Sequence, residues 1–427
     1  MLDIKLLRED PKGLEKKLRT KVPEVDLTKL MALDEKSREL KGRSDELKAG
    51  RNALADRIGA LKREKKDASS IIAEAEEINQ TIAIVDKELE AVDSQLHTEL
   101  ASLPNIPMDD VKIALDPKEN EEIRRFGEQR VFSFKPKNHV ELGETLGLFD
   151  FVRGAKVTGT GWPIYKGNGA RLEWALLNYM LDSHIKNGFT QIIPPHLVRE
   201  EIMYGSGQLP KFAGQAYKLT DNQHNFYMIP TSEVVLNGMH ADETINEDEL
   251  PIKYVSYTPC FRREAGAAGS KERGLIRIHQ FNKVEMFCFT TPEGAATVFD
   301  EMTRSAEKLL EGLGLHYRSM KLVTGDMSFA ATKTIDIEVF LPGQERYYEV
   351  SSVSNCTDFQ SRRTKIRCKG GDKANKPRFV YTLNGSGLAT SRLMVALLEN
   401  NQREDGSVAI PEALHKYLGG ITELKPS

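Results

Sequence analysis

FRREAGAAGSKERGLIRIHQFNKVEMF, residues 261–287, sets charged residues on both sides of a glycine- and alanine-rich loop: Arg262, Arg263 and Glu264 before it, Arg273 and Arg277 after it. KYVSYTPCF on one flank and VEMFCFT on the other are rich in β-branched and aromatic residues, so two strands joined by a loop are expected. Alternation along the first strand puts Arg262 and Glu264 on one face and Arg263 on the other. On the second, Phe281, Lys283 and Glu285 share a face. A ring available for stacking, a carboxylate able to accept from an exocyclic amine and a planar guanidinium fork then gather over one sheet surface, a combination suited to a nucleotide. The same pattern alone also describes a surface hairpin with cross-strand ion pairs.

Outward from this hairpin, TIDIEVFL, RYYEVSSVS and RFVYTLN read as further strands, and ARLEWALLNYMLDSHI, PEGAATVFDEMTRSAEKLLEGLG and TSRLMVALLENNQ as helices. Strand follows strand without an intervening helix, which predicts an antiparallel sheet flanked by helices, an α+β fold, in preference to a doubly wound parallel one. No G-x-G-x-x-G or Walker-type loop follows a strand, so phosphates bound here must be held by side chains. EVSSVSN, residues 349–355, offers a carboxylate and hydroxyls, hard oxygens suited to magnesium shared with phosphates. NGSGLATSR, residues 384–392, permits close backbone approach at its glycines and places Arg392 at the start of an apolar helix.

The first hundred residues have a different period. Leu33, Leu40, Leu47, Leu54 and Leu61 recur every seven residues with Leu30 and Ile58 beside them, and Ala75, Ile78, Ile82, Val85, Leu89, Val92 and Leu96 form a second stripe. KREKKDASS, residues 62–70, is short and polar enough to reverse the chain, so an antiparallel helical hairpin is expected, roughly 50 to 60 Å long. Ser37, Ser44 and Arg51 interrupt the other seam and argue against a long permanent dimer rod. The basic tip, Lys62, Arg63, Lys65 and Lys66, fits either a solvated end or a contact to phosphates. PNIP at 104–107 stops the helical pattern, giving domains at 1–110 and 111–427.

Composition narrows the class. With 60 basic and 63 acidic residues the net charge is −3, which argues against indiscriminate nucleic-acid binding. The four cysteines form no C-x-x-C pair and read as buried free thiols. No run approaches the roughly 18 apolar residues of a membrane span, and the start MLDIKLLRED lacks a secretory pattern, so no membrane association and a cytoplasmic location are expected.

Taken with TSE at 231–233 and MYGSGQLPKF at 203–212, these segments resemble the seryl-tRNA synthetases, of the second structural class of aminoacyl-tRNA synthetases, over nearly the whole chain and in the family's order. The resemblance implies a six-stranded antiparallel catalytic sheet, a homodimer and a two-step reaction. L-serine and ATP give seryl-adenylate, and serine then passes to the terminal ribose of tRNA(Ser), and of tRNA(Sec) where present. It also implies roles. Arg262 bridges the α-phosphate and the serine carboxylate, Glu264 reads the adenine amine, Phe281 stacks on the base and Arg392 grips the far phosphate. Arg263, Val350 and Ser351 complete the ATP set, and Glu349 and Ser352 hold Mg2+. Thr231 and Glu233 lie around the serine ammonium and Glu285 and Ser386 reach its hydroxyl, with Ser232, Asn384 and Arg262 completing the serine-binding set. Arg43, Lys48, Arg51 and Arg57 join the basic tip as tRNA contacts. Trp162, Ser391 and Val353 depart from residues common in the family, arginine, glycine and cysteine respectively. A ligase charging a carrier protein lacks the long arm present here, and a non-catalytic regulator predicts loss of a charge-handling residue, whereas Arg262, Glu264, Glu349 and Arg392 are all in place.

Overall fold

The computed structural model describes residues 1–221, 224–265, 273–370 and 376–426; the loop at 266–272 lies outside the described residues. The chain divides into two compact units, Leu2–Leu103 and a second made of Pro104–Ser427 together with Met1. The division falls at the first proline of PNIP. Asn105, just beyond it, is buried and donates through Nδ2 to the carbonyls of Ala330 and Cys356, which ties residues just after the proline to the second unit.

In the first unit two short helices, α1 (Ile4–Glu9) and α2 (Pro11–Arg19), precede the long pair α3 (Thr28–Arg63) and α4 (Ser69–Ser102). At 36 residues α3 extends about 54 Å. Leu40, Val85 and Val92 form the buried centre of the pair, with Leu33, Leu47 and Leu89 packed on them, so the two heptad stripes face each other. The interrupted seam is also interhelical. Ser37 Oγ donates to Asp93 (2.6 Å) and Ser44 Oγ to Asp86 (2.5 Å), whose carboxylate also takes the Lys48 ammonium. Near the root, Arg8 makes a two-pronged contact with the buried Asp34 (2.6 and 2.9 Å), which holds that carboxyl below its usual range.

The second unit is built on one sheet of eight strands: β1 (Glu121–Phe126), β2 (Thr190–Ile192), β3 (Ile252–Phe261), β4 (Gln280–Thr290), β5 (Tyr317–Lys321), β6 (Lys333–Leu341), β7 (Arg346–Thr357) and β8 (Tyr381–Ala389). Their spatial order is β1-β5-β6-β7-β8-β4-β3-β2. The inner six are antiparallel, as expected; the sheet is enlarged by β1, antiparallel to β5, and by β2, parallel to β3. Neither edge strand carries a readable pattern: β1 is exposed along its whole length and β2 has three residues. RFVYTLN is not one strand. Arg378–Phe379 pairs in a separate small sheet and β8 begins at Tyr381.

One face of the sheet buries Val255, Val284, Met286, Ile335, Ile337, Val353 and Leu383 against the helices α5 (Asn168–Lys186), α6 (Ala295–Gly312) and α7 (Thr390–Asn400). Strand alternation turns the intervening side chains to the opposite face. On β4 these are Phe281, Lys283 and Glu285, followed by Phe287 and Phe289, which pack into a smaller apolar cluster with Leu236, Ile366 and Val380. The same strand face is therefore polar where a cavity opens and apolar beyond it. All four cysteines are buried and none is disulfide-bonded.

Candidate active site

The polar face of the sheet carries two adjoining cavities of about 400 and 170 Å³, and Arg262, Glu264, Arg277, Lys283, Glu349 and Ser386 line both. β3 ends at Phe261, so Arg262 and Glu264 do not share a face by strand alternation, contrary to the sequence-based expectation. They reach the same cavity because the chain leaves the strand in an irregular segment, with Glu264 in the left-handed region at φ 48°. Glu264 accepts from Arg277 Nη1 at 2.7 Å. The Arg262 guanidinium sits 5.1 Å from the Phe281 ring centroid, and its Nε donates to the Pro230 carbonyl. The backbone of Arg262 is pinned to His279, on which Trp162 stacks with centroids 5.5 Å apart. The unusual tryptophan thus buttresses the segment carrying Arg262.

Glu349 and Ser352 stand three apart, a spacing that a regular strand would send to opposite faces. A bulge in β7 corrects this. Ile337 pairs with Ser351 but Glu338 pairs with Glu349, leaving Val350 as the extra residue, and both Glu349 and Ser352 line the larger cavity. Arg392, in the first turn of α7, donates to the Glu349 carbonyl at 2.8 Å and lies 3.5 Å from its carboxylate. Behind them Asp336 has a buried Oδ1 without a hydrogen-bond partner, and burial, reinforced by Glu349, pushes its carboxyl well up while a hydrogen bond with Ser352 pulls it down. Among the described residues no three His, Cys, Asp or Glu side chains converge as a metal cage. One exposed carboxylate, one hydroxyl and the half-buried carboxylate of Asp336 fit a hard cation that takes its remaining oxygens from phosphate and water.

The deep end of the larger cavity holds Thr231, Glu233, Lys283, Glu285, Asn384 and Ser386. Glu233 is half-buried, its Oε1 accepting from Gln360 (2.6 Å) and Asn384 (3.2 Å). Burial, then the neighbouring Glu285, push its carboxyl up to about 7, with Lys283 and Arg262 opposing. Lys283 is itself buried, 2.5 Å from Glu285 and donating to Thr231 Oγ1 at 2.9 Å.

Most of the residues singled out from the sequence meet here. Val350, Phe281 and Arg392 line the smaller cavity, as does Ser391. Three do not reach a cavity wall. Arg263 is exposed, and its backbone N–H donates to the Gln215 carbonyl at 2.9 Å. Ser351 faces inward and donates to the Ser386 carbonyl at 2.5 Å, a supporting bond. Ser232 is buried at the start of a short helix with its hydroxyl unpartnered. Val353 lies in the apolar core. Lys283, Arg277 and Asp336 were given no role from the sequence. Lys283 shares the strand face of Phe281 and Glu285, and Asp336 alternates with Glu338 on β6, so both signals were present. On the arm, Arg43, Arg57, Lys62, Arg63, Lys65 and Lys66 are exposed, Lys66 close to Glu64 (2.8 Å). Lys48 and Arg51 are half-buried, bound to Asp86 and Asn52.

Comparison with known proteins assigns this architecture. A family described as seryl-tRNA synthetase N-terminal domain matches residues 1–107, and the tRNA synthetase class II core domain (G, H, P, S and T) matches residues 217–401. The chain is 50% identical over 426 residues to the serine–tRNA ligase of Chlamydia pneumoniae, covering 100% of this chain and 99% of that one. The chain belongs to the seryl-tRNA synthetase family. It is also 52% identical over 419 residues to the serine–tRNA ligase of Chlamydia felis, covering 98% of each. Among solved structures it resembles the seryl-tRNA synthetase of Pyrococcus horikoshii complexed with ATP, at a TM-score of 0.93 and 37% identity over 100% of both chains. The cytoplasmic serine-tRNA ligase of Naegleria fowleri in complex with AMP matches at 0.88 and 28%, over 100% of this chain and 99% of that one. These findings favour a seryl-tRNA synthetase over a carrier-protein ligase or a non-catalytic regulator.

Proposed function

We propose that the two adjoining cavities are one active site in which this seryl-tRNA synthetase joins L-serine to ATP and then to tRNA(Ser). The observation that carries the reading is that Arg262 lines both spaces, with the carboxylates and hydroxyls suited to an amino acid on one side and Phe281 and Arg392 on the other. The first step is an in-line attack of a carboxylate on the α-phosphate, two anions that repel, so positioning and charge neutralisation supply the catalysis. Arg262 spans carboxylate and α-phosphate; its fork donates two parallel bonds, which an ammonium cannot. Phe281 stacks on the base, Glu264 accepts from the adenine amine while Arg277 keeps it oriented, and Arg392 binds the far phosphate. Glu349 and Ser352 hold magnesium, which when bound supplies charge for the phosphates. Glu233 receives the serine ammonium, and the incoming cation favours its ionised form. Glu285 and Ser386 read the hydroxyl, Asn384 positioning Glu233 beside them. Pyrophosphate leaves, and the terminal ribose hydroxyl of tRNA displaces AMP from the adenylate.

Leu2–Leu103 serves as the tRNA arm and the remainder as the catalytic domain. The exposed cations of the arm meet the backbone of the bound tRNA, in keeping with recognition of double-stranded RNA through backbone and shape. Catalysis takes place in a homodimer; exposed apolar residues at Trp174 (57%) and Ile193 (85%), on and just after the α5 and β2 segment, supply a surface that a second copy would cover. The location is cytoplasmic; no described helix is long and apolar enough to cross a membrane. Exchange of labelled pyrophosphate into ATP tests the reading. It is expected with serine and not with alanine, and equal exchange with both refutes the assignment.

A further inference from the structure

Gln215 bonds to its surroundings in an uncommon way. It is the last residue of a single 3-10 turn, Ala213–Gln215, and lines the larger cavity. Its side-chain amide meets Ala265 twice, Nε2 donating to the Ala265 carbonyl at 2.8 Å and Oε1 accepting from the Ala265 N–H at 2.9 Å. Its backbone carbonyl accepts from the N–H of Arg263, also at 2.9 Å. A donor and an acceptor side by side are what a neighbouring strand offers, and here a side chain offers them four residues after β3 has stopped at Phe261. The turn carrying this amide is itself anchored, because the next residue, Ala216, is buried in an apolar cluster with Met203, Leu209 and Tyr227.

The three bonds bracket Glu264. At φ 48° that residue sits in the left-handed region, which a side chain other than glycine adopts rarely and keeps only where the surrounding chain is fixed. Arg263 on one side and Ala265 on the other are both tied to Gln215. The ion pair of Glu264 with Arg277 cannot do the same work, since the Arg277 side chain is 41% exposed and a pair open to water fixes little by itself. Arg262 is held independently. Its N–H donates to the His279 carbonyl, its carbonyl meets the His279 ring and its Nε donates to the Pro230 carbonyl. Gln215 therefore governs the glutamate of this segment and leaves the arginine to other supports.

We propose that Gln215 is a positioning residue for base selection: its amide takes the place of a strand, keeps Glu264 in the left-handed conformation and so aims the carboxylate at the exocyclic amine of adenine. The inference rests on the functional reading above, in which Glu264 accepts from that amine, and adds the residue that makes the contact possible. Without the amide, Glu264 relaxes to a commoner conformation and its carboxylate turns away, while the base stack on Phe281 and the grip of Arg262 persist.

The test uses the full chain and serine-dependent pyrophosphate exchange with two nucleotides, ATP and the purine ribonucleoside triphosphate that lacks the 6-amino group. A hydrogen bond to a carboxylate should give the unaltered protein a preference for ATP of about tenfold or more in kcat/KM. Gln215→Met, similar in length and without hydrogen bonds, is expected to lower kcat/KM for ATP by about tenfold through the ATP KM. The analogue and the serine KM should stay within about threefold, so the preference for ATP collapses. Combining Gln215→Met with Glu264→Gln should be clearly less than additive. A glutamine that merely stabilised the fold would weaken both nucleotides and serine alike, and an unchanged preference in Gln215→Met overturns the proposal. Should that variant fail to fold by calorimetry, Gln215→Glu decides. It keeps the acceptor for the Ala265 N–H but sets a second acceptor against the Ala265 carbonyl, so it too should lose preference, and an unaltered ratio overturns the proposal. Equal use of the two nucleotides by the unaltered protein is a distinct result: it shows that Glu264 does not read the amine, and defeats that part of the functional reading together with this proposal.

Discussion

Glu233 should make the catalytic unit less stable as pH rises, and by a calculable amount. Its carboxyl is half-buried in the cavity wall, with desolvation and the Glu285 charge moving it from the usual 4.5 to about 7. A group whose folded-state value is raised binds its proton more tightly in the folded chain than in the unfolded one. Its full stabilising effect is therefore present below pH 4.5 and is lost as pH climbs through about 7. At about 1.4 kcal/mol per unit the loss comes to about 3 kcal/mol, a few degrees in the melting temperature of a unit this size. Glu233→Gln keeps an oxygen to accept from Gln360 and Asn384 and removes the ionisation. Melting of the ligand-free protein followed by calorimetry between pH 5 and 8, wild type against variant, isolates this group from the other titrations. The wild type should lose stability relative to the variant across that window. Serine and ATP should restore part of it, since the ammonium compensates the anion. Parallel pH profiles for the two proteins would refute the argument that desolvation and the Glu285 charge outweigh the groups that favour the Glu233 anion.

Arg262→Lys keeps the charge but loses the two-pronged donor, and single-turnover adenylation should slow by about 100-fold or more without a change in melting temperature; near-normal kinetics would show that the fork is unused. Deleting residues 30–100 should abolish tRNA charging while serine-dependent exchange survives, and loss of both in a folded protein would count against an arm devoted to tRNA. Asp34, held low by Arg8, contributes stability that is present above about pH 4 and disappears as pH falls through its lowered value. Asp34→Asn should destabilise the arm by about 1 to 3 kcal/mol at neutral pH, read from its helical circular dichroism melt; an unchanged melt would mean that the ion pair is neutral in effect.

The sequence is most readable where a period is long and one-sided. The heptads of α3 and α4 and the apolar face of α6 needed no tertiary information, because one stripe of each is buried, whereas α7 is buried nearly all round. The short edge strands left no trace, since β1 is exposed throughout and β2 is too brief for a period. Site residues were legible as residue types and misread as geometry. Arg262 and Glu264 converge through an irregular turn after the strand, and Glu349 and Ser352 through a bulge at Val350. Both are departures from regular alternation, set by contacts with distant segments. Lys283 was placed on the face of Phe281 and Glu285 but given no role, because only the folded chain brings the Glu285 carboxylate and the Thr231 hydroxyl to its ammonium.

The serine–aspartate bonds across the arm have a bearing on measurement. A purely greasy seam is tolerant of slippage, because one leucine substitutes for another. Ser37–Asp93 and Ser44–Asp86 are directional and spaced seven residues apart on both helices, so a displacement of α3 along α4 by less than a heptad would take both aspartates off their serine donors at once. The span from the root of the hairpin to its cationic end is consequently set by polar notches, and the arm can act as a ruler of fixed graduation for whatever it is laid against.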